Sequence, residues 1–341
     1  MFLGNQNKKQ QTMECESKVK YIKLIILIYA RIDTLFDCAI IGGGPAGLNA
    51  ALILGRARRN VILLDNNTPR NAVSQESHGF ITRDGIKPKE FREIAHKELG
   101  RYPSVIYAKR EVTSVIKNNE NSKLPFELLT SENDERYQSK TIIIATGLKD
   151  VLPNIENISD YYGKSLFHCP YCDGYELGDK PLVVIIGEQV QATFSFIQTT
   201  YNWSKDLIVC TNGEAFQNSA QKTLLENKGI KIIEHKIKNF EGKNGQIEKI
   251  VFENGESVLR KGGFVAPQPV QASGFGKQLG CKYNPLGGIV VDLFGRTNIQ
   301  GVYAAGDASV ITPAQLIIAA AEGVRAAAGV NTDLTQREFL E

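Results

Sequence analysis

Phe36-Asp37-Cys38-Ala39-Ile40-Ile41-Gly42-Gly43-Gly44-Pro45-Ala46-Gly47 is the stretch that decides the fold. Its first six residues are mostly apolar and read as a short buried strand. The next six fit G-x-G-x-x-G. Leu48 to Arg58 then reads as a helix rich in Ala and Leu, and Asn60 to Leu64 as a second strand ending at Asp65. Strand, glycine turn, helix, strand and acid in that order are the fingerprint of a dinucleotide site. Gly42 permits the tight turn, Gly44 lets the backbone approach a pyrophosphate, and Gly47 lets the helix pack on the strand. Pro45 and Ala46 open the helix, whose free N–H groups face the anion. Asp65 is placed to accept a ribose hydroxyl hydrogen bond.

Two later segments extend the pattern. Thr141 to Gly147 (TIIIATG) and Asn298 to Asp307 (NIQGVYAAGD) both read as buried strands. With them the chain resembles the two-dinucleotide-binding-domain flavoproteins. That resemblance implies an α/β fold of two interleaved Rossmann-like domains and FAD as cofactor. It implies that Asp307 contacts the ribityl and phosphate region, and it adds Thr146, Gly147 and Gly306 to the cofactor site. The expected division is an FAD domain over 33–148 and 270–331, a middle domain over 149–269, and a tail over 332–341. Asn118 to Tyr137 is polar and reads as an exposed hairpin.

His168-Cys169-Pro170-Tyr171-Cys172-Asp173-Gly174-Tyr175-Glu176 carries the chemistry. Two thiols at this spacing can close and reopen a small-ring disulfide, and a lowered thiolate pKa makes such a pair reactive. A protonated His168 would favour the thiolate of Cys169; an orienting or surface role for this histidine stands beside that one. Asp173 is placed to carry a proton. A zinc knuckle of His168, Cys169 and Cys172 is the competing reading. Structural zinc takes four ligands, and Cys15, Cys38, Cys210 and Cys281 are scattered, so no metal is expected.

The pair follows Gly147 at the start of the middle domain, as in the low-molecular-weight thioredoxin reductase family, whose motif is Cys-x-x-Cys-Asp-Gly. The resemblance covers about 36–330 and includes Thr297, Gly301 to Asp307, and Gln315 before a helix read as Leu316 to Ala328. It implies that this helix starts against the flavin, that Cys172 faces the flavin, that Cys169 attacks the substrate disulfide, and that Asp173 is the general acid/base. It also implies a domain hinge and a homodimer. Within the family, His168 to Glu176, Arg70-Asn71 and His78 to Gly85 (HGFITRDG) are similar to the thioredoxin-reductase-like dithiol oxidases, among them those that close gliotoxin and holomycin. There electrons run from dithiol to cysteine pair to FAD to oxygen.

The middle domain should repeat the nucleotide fold for NADPH. After Pro181 to Ile186 the turn reads Gly187-Glu188-Gln189-Val190-Gln191-Ala192, with Gln189 where the close-approach glycine belongs. The strand Leu207 to Cys210 leads into Thr211-Asn212, and 206–221 holds no Lys, Arg or His for a 2′-phosphate. NADPH use is therefore doubtful, with an atypical turn as the other reading.

Composition bounds the rest. The 341 residues, 42% hydrophobic and 23% charged, suit about two globular domains. A net charge of +3 gives no support for nucleic-acid or membrane-surface binding. Six cysteines are too few for a disulfide-stapled secreted scaffold, so a cytoplasmic protein is expected. Residues 1–32 read as a disordered extension; its apolar run 24–30 is too short to span a membrane and lacks a good signal cleavage site. The remaining functions are a reductase of thioredoxin or a similar disulfide, a dithiol oxidase acting on a small molecule or peptide, and a non-catalytic flavoprotein module. A reductase without NADPH needs another electron carrier.

Overall fold

The computed structural model describes residues 34–118, 125–131, 135–186 and 193–341. The extension 1–32 with Cys15, and the turn Gly187, Glu188, Gln189 and Ala192, lie outside the described residues.

Strand β1 (Leu35–Ile41) runs into helix α1 (Pro45–Arg56), which returns to β2 (Val61–Leu64). Helix α2 (Pro88–Leu99) leads to β3 (Val105–Ala108), and β4 (Val112–Lys117), β5 (Phe126–Thr130) and β6 (Arg136–Ile144) follow. The sheet order is β3-β2-β1-β6-β5-β4, with β1, β2, β3 and β6 parallel. Both faces of β1 are covered, which explains its near-continuous apolar sequence. Cys38 and Ile40 face the layer containing α1, whereas Phe36, Ala39 and Ile41 face the opposite core. The segment read as an exposed hairpin is only partly so. Phe126 and Leu128 of β5 are fully buried, because β5 is an interior strand between β4 and β6.

Next, β7 (Leu148–Val151) leaves the first sheet. A second sheet contains β8 (Leu166–Phe167), β9 (Leu182–Ile185), β10 (Leu207–Cys210) and β11 (Lys231–Ile233). The one-turn helix α3 (Pro170–Asp173) lies between β8 and β9. An antiparallel ribbon of β12 (Ile237–Lys243), β13 (Gln246–Phe252) and β14 (Ser257–Leu259) precedes β15 (Gly262–Val265), and the parallel order is β11-β10-β9-β15-β8. The chain then crosses back through β16 (Gln268–Gln271), which pairs antiparallel with β7. Two crossings at one ladder form a compact connection between the sheets.

Strand β17 (Val302–Ala304) returns to the first sheet and lies parallel to the C-terminal half of β6. The final helix, α4, spans Leu316–Leu340, well beyond Ala328, so 332–340 is helix rather than tail. Long-range pairs hold this extension: Arg59 bonds Asn331, Thr335 and Glu338, and Arg296 bonds Asp333. No helix among the described residues is long and apolar enough to cross a membrane.

Candidate active site

Gly42 has φ of +109°, and a Cβ there would lie 2.3 Å from the Ala145 carbonyl oxygen. A Cβ on Gly47 would lie 1.9 Å from Gly42 O, so α1 packs on the turn only without a side chain. Gly44 differs: a Cβ there meets nothing within 4 Å. This residue caps α1, which has Pro45 in its first turn, no side-chain cap and no acid in that turn. Open space at unpaired N–H groups fits a pyrophosphate. Ala46 is buried beneath the turn, and a Cβ on Gly306 would lie 2.8 Å from Ala46 Cβ.

Asp65 is buried at the end of β2, and its Oδ2 accepts from Arg92 Nη2 at 2.5 Å. One carboxylate oxygen is thus committed to a partner that the sequence pattern did not reveal. Thr146 Oγ1 lies 2.8 Å from Ser273 Oγ, and Gly147 O accepts from Ala272 N at 3.0 Å, tying the two crossings together. Gly147 and Gly306 adopt φ of +67° and +69°. Asp307 follows Gly306 and bonds Arg70 Nη1 at 3.1 Å. Burial raises its pKa against the pull of Arg70. These residues fit an extended dinucleotide lying from Gly44 towards Asp307.

Cys169 and Cys172 are joined as a disulfide. Cys169 caps α3, and Cys172 N donates to Cys169 O at 3.1 Å. Gly174 closes the turn because Trp203 packs there; a Cβ would lie 2.8 Å from its ring. Tyr171 meets Trp203 edge-on at 5.4 Å and, like Tyr175, is largely exposed beside the pair. Gln315, which caps α4, brings its Nε2 within 3.4 Å of both sulfurs. The start of α4 therefore meets the cysteine pair across the two sheets. The loop containing His78 to Gly85 closes the same place: a Cβ on Gly79 would lie 3.4 Å from Gln315 Oε1, and His78 Nε2 is 3.7 Å from Glu176.

The electrostatics separate Asp173 from His168. Burial pushes Asp173 up to about 7, with Glu176 adding to the shift and His78 opposing it. A carboxyl poised near neutrality suits proton transfer. Burial, reinforced by the positive charge of Arg70, pushes His168 down to about 4. His168 is therefore neutral at pH 7, and a standing positive charge favouring the thiolate is not available from it. The Gln315 amide is the donor in place. His168 Nδ1 lies 3.0 Å from Tyr162 Oη, which donates to Asp150 Oδ2 at 2.9 Å. Sequence reading missed Tyr162 and Asp150, and only Arg70, quoted with Asn71, signalled this network. No cluster of metal-binding residues occurs among the described residues.

Comparison with known proteins agrees with this architecture. Residues 36–323 match the family described as pyridine nucleotide-disulphide oxidoreductase. The chain is 32% identical over 285 residues to thioredoxin reductase tcpT of Claviceps purpurea, covering 81% of this chain and 87% of that protein. It superposes on a Bacillus anthracis protein named TrxB with a TM-score of 0.85 and 45% identity, covering 89% of this chain and 100% of that one. With the crystal structure of HlmI the TM-score is 0.84 at 31% identity, covering 90% and 95% of the respective chains. The family implies FAD together with a pyridine nucleotide. The chain belongs to the pyridine nucleotide-disulphide oxidoreductase family and is an oxidoreductase of the thioredoxin reductase-like type.

Proposed function

We propose that this enzyme oxidises a dithiol through Cys169–Cys172 and FAD, with little or no use of NADPH. The observation that carries this reading is the charge around the end of β10. Thr211 is fully buried, and its hydroxyl donates to Glu214 O. Asn212 spends its side-chain oxygen on Ile237 N at 3.0 Å. Lys222, beside this turn, pairs with Glu234 at 3.0 Å, and Lys236 pairs with Glu253 at 3.0 Å. The Lys222 hydrogen bond holds Glu234 below the usual carboxylate range, so both of these lysines are already committed to carboxylates, and the exposed Glu214 adds an acidic side chain at the turn. A 2′-phosphate needs the opposite sign. Gln189 and Glu188 add to this reading from the sequence.

In the first half-reaction, one substrate thiol attacks a sulfur of the pair and the S–S bond opens. The second substrate thiol then displaces the mixed disulfide, leaving an oxidised substrate and two cysteine thiols. Cys169 takes the exchange role and Cys172 the flavin-facing role. Gln315 stabilises the developing thiolate, and Asp173 receives a proton. When bound, FAD would supply a two-electron sink, and Gly42, Gly44, Gly47, Asp65 and Asp307 would hold it, with dioxygen or another carrier as the eventual electron acceptor. The lobes 33–148 with 270–331 and 149–269, joined at β7 and β16, supply the hinge, and a homodimer in the cytoplasm is the assembly and setting we assign.

Relatives named thioredoxin reductase favour a second reading, an NADPH-dependent reductase. Anaerobic reduction of the purified holoenzyme decides between them. Dithiothreitol should bleach the flavin within seconds, whereas micromolar NADPH or NADH should act slowly or not at all. Rapid bleaching by NADPH restores the reductase reading. Glu214→Arg combined with Glu234→Gln should improve NADPH use, since Glu214 is exposed; Thr211→Arg would instead bury a guanidinium.

A further inference from the structure

Tyr162 sits between a carboxylate and an imidazole, and its single proton decides the tautomer of His168. Arg70 grips Asp150 with two hydrogen bonds, Nε to Oδ2 at 3.0 Å and Nη2 to Oδ1 at 2.5 Å. A carboxylate held this way is ionised and accepts only. Burial alone would raise the Asp150 pKa, but the Arg70 hydrogen bonds and charge, aided by the Tyr162 hydrogen bond, hold it below its usual value. The Tyr162 hydroxyl donates to this carboxylate at 2.9 Å and is 3.0 Å from His168 Nδ1. Having given its one proton to Asp150, the phenol has only lone pairs left. Nδ1 must therefore carry the hydrogen of that second bond. The reverse arrangement would set phenol and carboxylate lone pairs against each other at 2.9 Å.

A neutral imidazole with hydrogen on Nδ1 has a free lone pair on Nε2. Nε2 has no hydrogen-bond partner among the described residues, nor is it one of the buried atoms left without one. An acceptor atom that is not fully buried thus sits on the half-buried residue that precedes Cys169.

We propose that Tyr162 and Asp150 are positioning residues that lock His168 as its Nδ1–H tautomer, so that Nε2 accepts a hydrogen bond from the attacking substrate thiol. This deepens the dithiol-exchange reading and rests on it. As the thiol attacks Cys169 Sγ, a new S–S bond forms and the Cys169–Cys172 bond breaks. The electron pair of that bond stays on Cys172, and the thiol proton, oriented by Nε2, ends on the Asp173 carboxylate. Arg70 extends the chain to Asp307, so one network joins the cofactor site to the thiol-exchange site.

The experiment is a two-bond nitrogen–proton NMR spectrum of holoenzyme carrying 15N-histidine. The chain has 4 histidines, and His168→Gln identifies the resonance. Wild type should show His168 as the Nδ1–H tautomer across a titration from about pH 6 to about pH 8. Tyr162→Phe keeps the ring and removes the hydroxyl. It should give a mixed or reversed tautomer, with kcat/KM for dithiol oxidation about tenfold lower, the loss expected of one hydrogen bond of about 1.4 kcal/mol. The flavin spectrum should be unchanged. An Nε2–H tautomer in wild type overturns the proposal, and so does an unaltered tautomer in Tyr162→Phe, whatever the rate. If wild type oxidises no dithiol, the functional reading fails separately, while the spectrum still decides the tautomer.

Discussion

Gln315 and Cys169 lie 146 positions apart, yet the Gln315 side-chain amide is 3.4 Å from the Cys169 sulfur. The same nitrogen is 3.4 Å from Cys172, so either thiolate can draw on one donor as the disulfide opens. The contact joins the cap of α4 to α3, and thus the first sheet to the second.

Gln315→Leu should slow dithiol reduction of the flavin about 10- to 100-fold, since a hydrogen bond to a charged group contributes about 1.5–3 kcal/mol. Stopped-flow absorbance measures this directly. Gln315→Glu should be slower still, because a carboxylate repels the thiolate. A leucine variant at the wild-type rate would remove Gln315 from the mechanism.

Gly44 and Gly47 should respond differently to substitution. A Cβ on Gly44 meets no protein atom, so Gly44→Val should fold, with normal circular dichroism, but purify without its yellow flavin. A Cβ on Gly47 would lie 1.9 Å from Gly42 O, so Gly47→Val should lose the fold itself. Full flavin content in Gly44→Val would show that the pyrophosphate does not approach this turn.

The two cysteines should be distinguishable by colour. If Cys172 takes the flavin-facing role proposed above, Cys169→Ser should leave the Cys172 thiolate beside the ring and show a long-wavelength charge-transfer band; Cys172→Ser should show none. Both should lose dithiol turnover. A band confined to Cys172→Ser reverses the assignment.

Asp173 gives the pH dependence its sign. Burial raises its pKa to about 7, with Glu176 adding and His78 opposing, so the carboxyl is protonated below that pH and able to accept a proton above it. Dithiol oxidation should therefore rise as pH passes through about 7. Asp173→Asn should lose this limb and about 100-fold in rate. The raised pKa also means that stability falls as pH rises from the ordinary carboxyl range through about 7, because the folded state disfavours the ion. Asp173→Asn should thus melt higher than wild type at pH above about 8, a difference calorimetry can read. An unchanged pH limb in the variant would assign the proton to another group.

The glycine turn at Gly42 to Gly47, the strands around it and the Cys169–Cys172 spacing were legible in the sequence because their geometry is local. A tight turn, a helix start and a small disulfide ring are each written within a few consecutive residues. Gly44 and Gly47 illustrate the limit: both belong to one pattern, but only packing reveals which Cβ would strike Gly42 O and which would enter open space. The length of α4 depended on Arg59 and Arg296, which reach it from other elements. The polar run around β5 concealed Phe126 and Leu128, whose burial follows from strand order. Tertiary structure alone decided that Arg92 engages Asp65, that Gln315 reaches both sulfurs, and that Tyr162 links Asp150 to His168. It also decided protonation. His168 and Asp173 flank the cysteine pair in the chain, but desolvation drives the imidazole towards neutrality at about 4 and the carboxyl up to about 7. Burial is a property of what surrounds a group in space, and a linear chain does not carry it.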